Sequence, residues 1–131
     1  NTIVDFFLYL FSNCFFPAFC EEFVFRGWTF HFLSENMIKP LAVITTSILF
    51  TFCHSHRSLF SYFLIFILSL LWNYANITTE SLFVSIFSHF FHNFLHSVFL
   101  LLYSPVCDLS PSYFFALWIS SCFLLLFLID F

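Results

Sequence analysis

Long apolar runs separated by short polar stretches cover almost the whole chain. They predict about five helical spans, at residues 3–32, 41–53, 59–74, 82–103 and 113–129. Crossing a bilayer takes about 20 apolar residues in a helix, so most of these runs are long enough and the second is short. Because every backbone polar group in lipid needs an internal partner, the pattern favours helices over strands. It predicts an all-α, polytopic transmembrane helix bundle.

The first and last spans differ in what they are expected to do. The first is longer than a bilayer is thick, since each helical residue adds about 1.5 Å. We expect it to tilt, to project from the membrane or to bend near Pro17, because proline removes a helical hydrogen bond. The last span is almost wholly apolar, and we expect it only to pack against the others.

Composition supports a membrane protein. The chain is 62% hydrophobic, 26% aromatic and 8% charged, and its 131 residues include 26 Phe, more than a small soluble domain can bury. The net charge of −4 comes from scattered acids, so the expected surroundings are lipid and no nucleic acid is expected as a partner. The five Cys suggest no disulfide framework. We interpret residues 1–131 as one membrane-embedded domain, a fragment lacking N-terminal helices.

Three charged residues interrupt the first apolar run: Glu21, Glu22 and Arg26. Each charge costs roughly 2.5–3.5 kcal/mol at the centre of a membrane helix, so a compensating arrangement is expected. Glu22 and Arg26 are four residues apart and share a helix face, with the acid N-terminal, which is the favourable order for an ion pair. Glu21 points about 100° away and is left without a local partner. The spacing therefore leaves one carboxylate available for chemistry.

The fourth span carries a polar stripe on an otherwise apolar helix. Its members recur at spacings of three and four residues: Ser85, His89, His92, Asn93 and His96. Such a stripe must face the bundle interior or water, and its simplest role is hydrogen bonding between helices. His89 and Asn93 can instead aim two donors at one point, as an oxyanion site requires. His92 and His96 share a face on which a metal could bind.

The second span also carries polar residues, at its C-terminal end. Phe50 and His54 are four residues apart, and Ser47 lies one turn earlier on roughly the same face. A single histidine at this position is more often structural or interfacial than reactive. His56 and Arg57 follow at the expected helix end, where they are interpreted as interface anchors.

Three short motifs together resemble a family of intramembrane proteases, the one that contains CAAX prenyl endopeptidases and bacteriocin-processing proteins. They are E-E-x-x-x-R at residues 21–26, F-x-x-x-H at 50–54 and H-x-x-x-N at 89–93. Each motif is weak alone, but their order and their placement on apolar helices make the combination specific. The resemblance covers residues 15–100. It implies a multi-pass membrane protein, in the endoplasmic reticulum if eukaryotic or in the plasma membrane if bacterial.

By this resemblance the chain is an endopeptidase that processes the C-terminus of prenylated CAAX proteins. Glu21 and His54 correspond to the residues that activate the attacking water, and His89 and Asn93 to those that stabilise the oxyanion. The reading from the residues agrees, because Glu21 is the carboxylate without a local partner. The implied partners are a prenylated protein C-terminus, or another peptide, and the lipid bilayer.

The resemblance also assigns supporting and alternative roles. Glu22 and Arg26 would hold the site in shape. No cofactor is required on the interpretation that we favour. The family has also been described as metalloproteases, and under that alternative zinc would be held by Glu21, His54 and His89.

Three other functions stay open. The first is that of a relative that processes peptides or bacteriocins, or confers immunity to them. It lacks the usual glycines between residues 68 and 80; if that loss closes the cavity, the protein is a catalytically inactive membrane scaffold. An ion transporter ranks last, because the acids and histidines cluster at one site rather than along a continuous track.

Overall fold

The computed structural model describes residues 2–54, 58–103 and 119. Its N-terminal helix is continuous from residue 2 to residue 36 and contains α1 (Thr2–Leu10), α2 (Phe16–Glu22) and α3 (Phe30–Asn36), joined by π-helical stretches at Phe11–Phe15 and Phe23–Thr29. Three further helices follow: α4 (Lys39–Phe52), α5 (Leu59–Thr79) and α6 (Leu82–Tyr103). The described residues form no strand, and the predicted all-α bundle is confirmed.

The N-terminal helix continues through Pro17, which lies in the first turn of α2. The two π stretches are widened turns, in which Phe16 N–H reaches Phe11 O and Phe30 N–H reaches Phe25 O, five residues back. Such π stretches are rare and are frequent at functional sites. The second begins directly after Glu22, so it changes the rotation of the helix inside the charged motif.

Helix α5 is longer than predicted. We expected it to end at residue 74 because polar residues follow, but it runs to Thr79, and Glu80 then adopts a left-handed conformation with φ of 50°. The Asn73 side chain donates within the bundle, to Ser69 O on the same helix and to the Ser47 hydroxyl on α4. The predicted end was therefore wrong, since these side chains bond within the bundle rather than to water.

The helices pack around a small apolar core at the level of the charged motif. Phe50, Leu68, Trp72 and Ala75 form its buried cluster. Helix α5 contacts α4 and α6, and α6 also contacts α2. The cluster residues lie on α4 and α5, and Phe25 of the N-terminal helix and Val84 of α6 pack against them.

Within the part of the chain that the structure describes, three helices are long and apolar enough to cross a membrane: the N-terminal helix from Ile3 to Asn36, Leu59–Thr79 and Leu82–Leu100. Helix α4 is apolar but shorter, as its sequence predicted. Large aromatic side chains such as Phe7, Phe16 and Trp28 are exposed on the N-terminal helix, as expected for a surface in contact with lipid. The predicted fifth span at 113–129 and the anchors His56 and Arg57 lie outside the described residues.

Candidate active site

The predicted pairing of Glu22 with Arg26 is confirmed. Arg26 Nη1 lies 3.0 Å from Glu22 Oε1, and both side chains are fully buried. The other end of the guanidinium reaches α5, where Nη2 donates to the Ser69 hydroxyl at 2.6 Å and to Ser69 O at 3.2 Å. The Arg26 guanidinium carbon also lies 4.4 Å from the centre of the Phe50 ring, within range of a cation–π contact. The pair therefore fixes the N-terminal helix to α4 and α5.

Glu22 has a second partner on α6. Its Oε1 atom lies 2.8 Å from His89 Nδ1. Because the same oxygen accepts from Arg26, Glu22 is the acceptor in both contacts and His89 Nδ1 carries the proton. This leaves His89 Nε2 directed toward the neighbouring carboxylate, Glu21, whose Oε2 atom lies 3.8 Å away.

Glu21 contacts His54, a residue just after the end of α4 that the resemblance had grouped with it. Its Oε2 atom lies 3.2 Å from His54 Nε2, and the two side chains are 31% and 26% exposed. Glu21 is thus the accessible carboxylate of the two, while Glu22 has no exposed side-chain surface. One oxygen of Glu21 faces ring nitrogens from both His54 and His89.

The backbone fixes the orientation of His54. Its Nδ1 atom lies 2.8 Å from Phe50 O, and since a carbonyl only accepts, Nδ1 carries a proton. His54 lies beyond the end of α4 and outside the candidate spans, and its hydrogen bond with Glu21 raises the pKa of the imidazole. The Glu21 carboxylate therefore favours the protonated form of His54.

Aromatic rings hold His89 in place. Trp72 stacks on its imidazole with ring centres 4.2 Å apart and an interplanar angle of 15°. The Trp72 indole N–H donates to the Ser88 hydroxyl at 3.2 Å, which fixes the indole on α6 as well. Phe50 packs edge-on against both rings at 5.9 Å. His89 therefore has little freedom to rotate away from the two glutamates.

A cavity of about 290 Å³ opens beside this cluster, between the end of α4 and helices α5 and α6. Its lining is Phe50, His54, Ser61, Leu64, Ile65, Leu68, Trp72, His89, His92, Asn93 and His96. Ser85 and His89 are buried, and the other three members of the polar stripe line the cavity, so the prediction that the stripe faces the interior is confirmed. The cavity is present although residues 68–80 contain no glycine.

His89 and Asn93 line the same cavity, but their donors do not converge on one point in this structure. His89 Nδ1 faces Glu22, whereas the Asn93 amide donates to Cys14 O over a long 3.4 Å. The reason is local, because each donor finds an acceptor on the N-terminal helix. The shared oxyanion role stays a prediction.

Glu21, His54 and His89 are donor types that zinc accepts. Within residues 2–54 and 58–103, however, no group of three or more His, Cys, Asp or Glu side chains is arranged to hold a metal ion. The pair His92 and His96 belongs to no such group. The arrangement of these described residues does not fit zinc.

Comparison with known proteins identifies the family. Residues 3–95 match the model of the type II CAAX prenyl endopeptidase Rce1-like family. The chain belongs to this family. The matched residues include every predicted site residue, from Glu21 to Asn93. No curated protein and no solved structure matches the chain. At this level the chain is a membrane protein of a CAAX-type intramembrane protease family.

Two residues of the cluster were missed by the sequence reasoning. Ser69 and Trp72 hold Arg26 and His89, yet neither belongs to a motif. A signal was available for Ser69, which is four residues before Asn73 and so forms a polar pair on one face of an apolar helix. No comparable spacing marks Trp72.

Proposed function

We propose that this protein is an intramembrane endopeptidase that cleaves the C-terminus of prenylated CAAX proteins, with Glu21 and His54 activating the attacking water. The observation that carries the proposal is the 3.2 Å contact between Glu21 Oε2 and His54 Nε2, because His54 lines the cavity. A partly exposed carboxylate and imidazole in contact are suited to general acid–base catalysis. Membership of the family supports peptide-bond chemistry at this site.

The proposed chemistry starts from the contact between Glu21 and His54. The pair accepts a proton from water as the water oxygen attacks the scissile carbonyl carbon. The same proton then passes to the leaving nitrogen, the carbon–nitrogen bond breaks, and a new carboxylate and a new amine are released. His89 and Asn93 line the cavity where the oxyanion would form, and we assign them to its stabilisation.

Glu22 and Arg26 act as positioning residues in this proposal. Glu22 holds His89 through Nδ1, and Arg26 neutralises Glu22 within the bundle. The proposed substrate is supported by the cavity, because the surface that lines it is mainly apolar and suits a hydrophobic peptide segment.

The test is cleavage of a farnesylated CAAX peptide by the protein reconstituted in liposomes. Glu21→Gln keeps the size of the side chain but removes the base, and we expect the rate to fall about 10²–10⁴-fold. Glu35→Gln is the matched control, because Glu35 lies on the same helix and is 63% exposed, and it is expected to cleave like the wild type. Equal rates for Glu21→Gln and the wild type would refute the proposal.

A chelator distinguishes the metal alternative. The proposal predicts cleavage that is unchanged after incubation with a zinc chelator. Loss of cleavage that added zinc restores would assign Glu21, His54 and His89 to a metal instead. A wild type that cleaves no prenylated peptide but cleaves an unmodified one would favour the peptide-processing alternative.

A further inference from the structure

Two histidines extend the polar lining of the cavity beyond the residues assigned to chemistry. His92 and His96 lie on α6 after His89, and both line the cavity. The opposite wall is the first half of α5, where Leu64, Ile65 and Leu68 are apolar. His96 therefore lies on a polar strip that leads away from the Glu21–His54 pair along an otherwise hydrophobic channel wall.

Ser61 places a second polar group at the end of the cavity where His96 lies. Helices α5 and α6 follow one another through a short turn and contact each other, so they run antiparallel. Trp72 on α5 bonds to Ser88 on α6, and from this pair Ser61 lies back along α5 while His96 lies forward along α6. Both residues line the cavity, so its end remote from the core carries a hydroxyl and an imidazole.

The distance along α6 matches a short peptide. His96 is seven residues after His89, which corresponds to about 10 Å along the helix axis. An extended peptide spans about 3.3–3.6 Å per residue, so about three residues cover that distance. A substrate whose scissile carbonyl lies at His89 would bring the end of a three-residue leaving segment to His96.

A free C-terminus carries a charge that this cavity must satisfy. A carboxylate in apolar surroundings is costly unless donors reach it. Among the described residues that line the cavity none is Lys or Arg, and Arg26 is already bonded to Glu22 and Ser69. An imidazole N–H and a serine hydroxyl both donate to a carboxylate. Of the donors that line the cavity, His96 lies at the distance from His89 that a three-residue segment spans.

We propose that His96 binds the C-terminal carboxylate of the substrate, three residues beyond the cleaved bond, and so sets the length of the released peptide. The inference rests on the proposed function and goes further, because it assigns a specificity-determining residue outside the three motifs. In this proposal His96 is a substrate-binding residue, which contacts the end of the substrate and not the reacting atoms.

The experiment compares farnesylated peptides with two, three or four residues after the prenylated cysteine, each as a free acid and as a C-terminal amide. The full chain in liposomes should prefer the three-residue acid. His96→Leu should raise KM for that acid about tenfold or more with little change in kcat, because a hydrogen bond to a charged group is lost. It should change KM for the amide much less.

Two controls keep the result specific. His96→Gln retains a donor and should recover part of the affinity for the three-residue acid, and its folding can be checked by its melting temperature beside that of His96→Leu. His31→Leu removes a 75% exposed histidine from the N-terminal helix and should leave the length preference unchanged.

The inference is overturned if the wild type cleaves all lengths and both termini equally, or if His96→Leu affects acid and amide to the same extent. Either result leaves the proposed function standing, because cleavage still occurs. A wild type that cleaves no peptide in the series overturns the proposed function and this inference with it.

Discussion

Glu21 and Glu22 are neighbours in the chain and lie in opposite environments. Glu22 is fully buried and contacts Arg26 and His89, within a network that joins four helices. Glu21 is partly exposed and contacts His54, a residue on the connection after α4 that lines the cavity. One side of the helix is built like a structural ion pair and the other like a reactive pair.

The difference follows from a rotation of about 100° between consecutive helical residues. That rotation directs Glu22 into the bundle and Glu21 toward His54. His89 lies between them, with Nδ1 near Glu22 and Nε2 near Glu21. Glu22, on the buried side, can therefore fix His89 beside Glu21 without itself being exposed to substrate.

The largest effect is expected on the buried side. Arg26→Leu leaves Glu22 buried without its cation, and breaking a buried pair in this way costs about 3–5 kcal/mol. The matched change on the reactive side, His54→Leu, should cost about 0–1 kcal/mol, because the pair is partly exposed. Thermal unfolding in detergent micelles, followed by circular dichroism, measures both.

A double variant sharpens the result. Glu22→Leu combined with Arg26→Leu removes both charges and should melt above Arg26→Leu alone, since no unpaired charge remains. If Arg26→Leu melts like the wild type, the buried side is not the structural one.

A smaller effect is expected at Ser69. Ser69→Ala removes the 2.6 Å contact to Arg26 Nη2 but leaves the bond to the Ser69 carbonyl. Because hydrogen bonds to charged groups contribute about 1.5–3 kcal/mol, we expect a loss near the lower end of that range. Ser12→Ala is the control: its hydroxyl bonds to Leu8 O on an exposed surface, and its melting temperature should hardly move. Equal shifts for the two variants would contradict the assigned role of Ser69.

The smallest effect is expected at Gly27, the single glycine of the chain. It follows Arg26 in the second π stretch, and a Cβ there would lie 3.4 Å from Leu82 Cδ2, at the limit of ordinary contact. Alanine favours a helix by up to about 1 kcal/mol over glycine, so Gly27→Ala should be neutral or slightly stabilising. A clear fall in melting temperature would show that the buried side depends on a close approach at this position.

The sequence predicted the local parts of the site better than the distant ones. Four-residue spacing was enough to pair Glu22 with Arg26, because the two lie on one helix. The contact of Glu21 with His54 joins separate helices, and only the resemblance to a family placed them together. Ser69 was missed because its partner is 43 residues away along the chain.

Some helix ends were predicted correctly and others were not, for a related reason. The start of α6 agreed with the pattern, since polar residues precede an apolar run. The end of α5 did not, because Asn73 bonds to Ser47 on another helix and so does not mark the membrane surface. The π stretches leave no mark in the hydrophobic pattern, which changes little when a helix widens by one residue.

The most direct test of the division between the two glutamates is to measure cleavage and melting temperature together for Glu21→Gln and Glu22→Gln. Both changes replace one carboxylate oxygen by an amide group, so they differ only in position. We predict that Glu21→Gln melts close to the wild type and cleaves about 10²–10⁴-fold more slowly, while Glu22→Gln melts well below it. Retained cleavage in Glu21→Gln, or equal losses of stability in the two variants, would contradict the account.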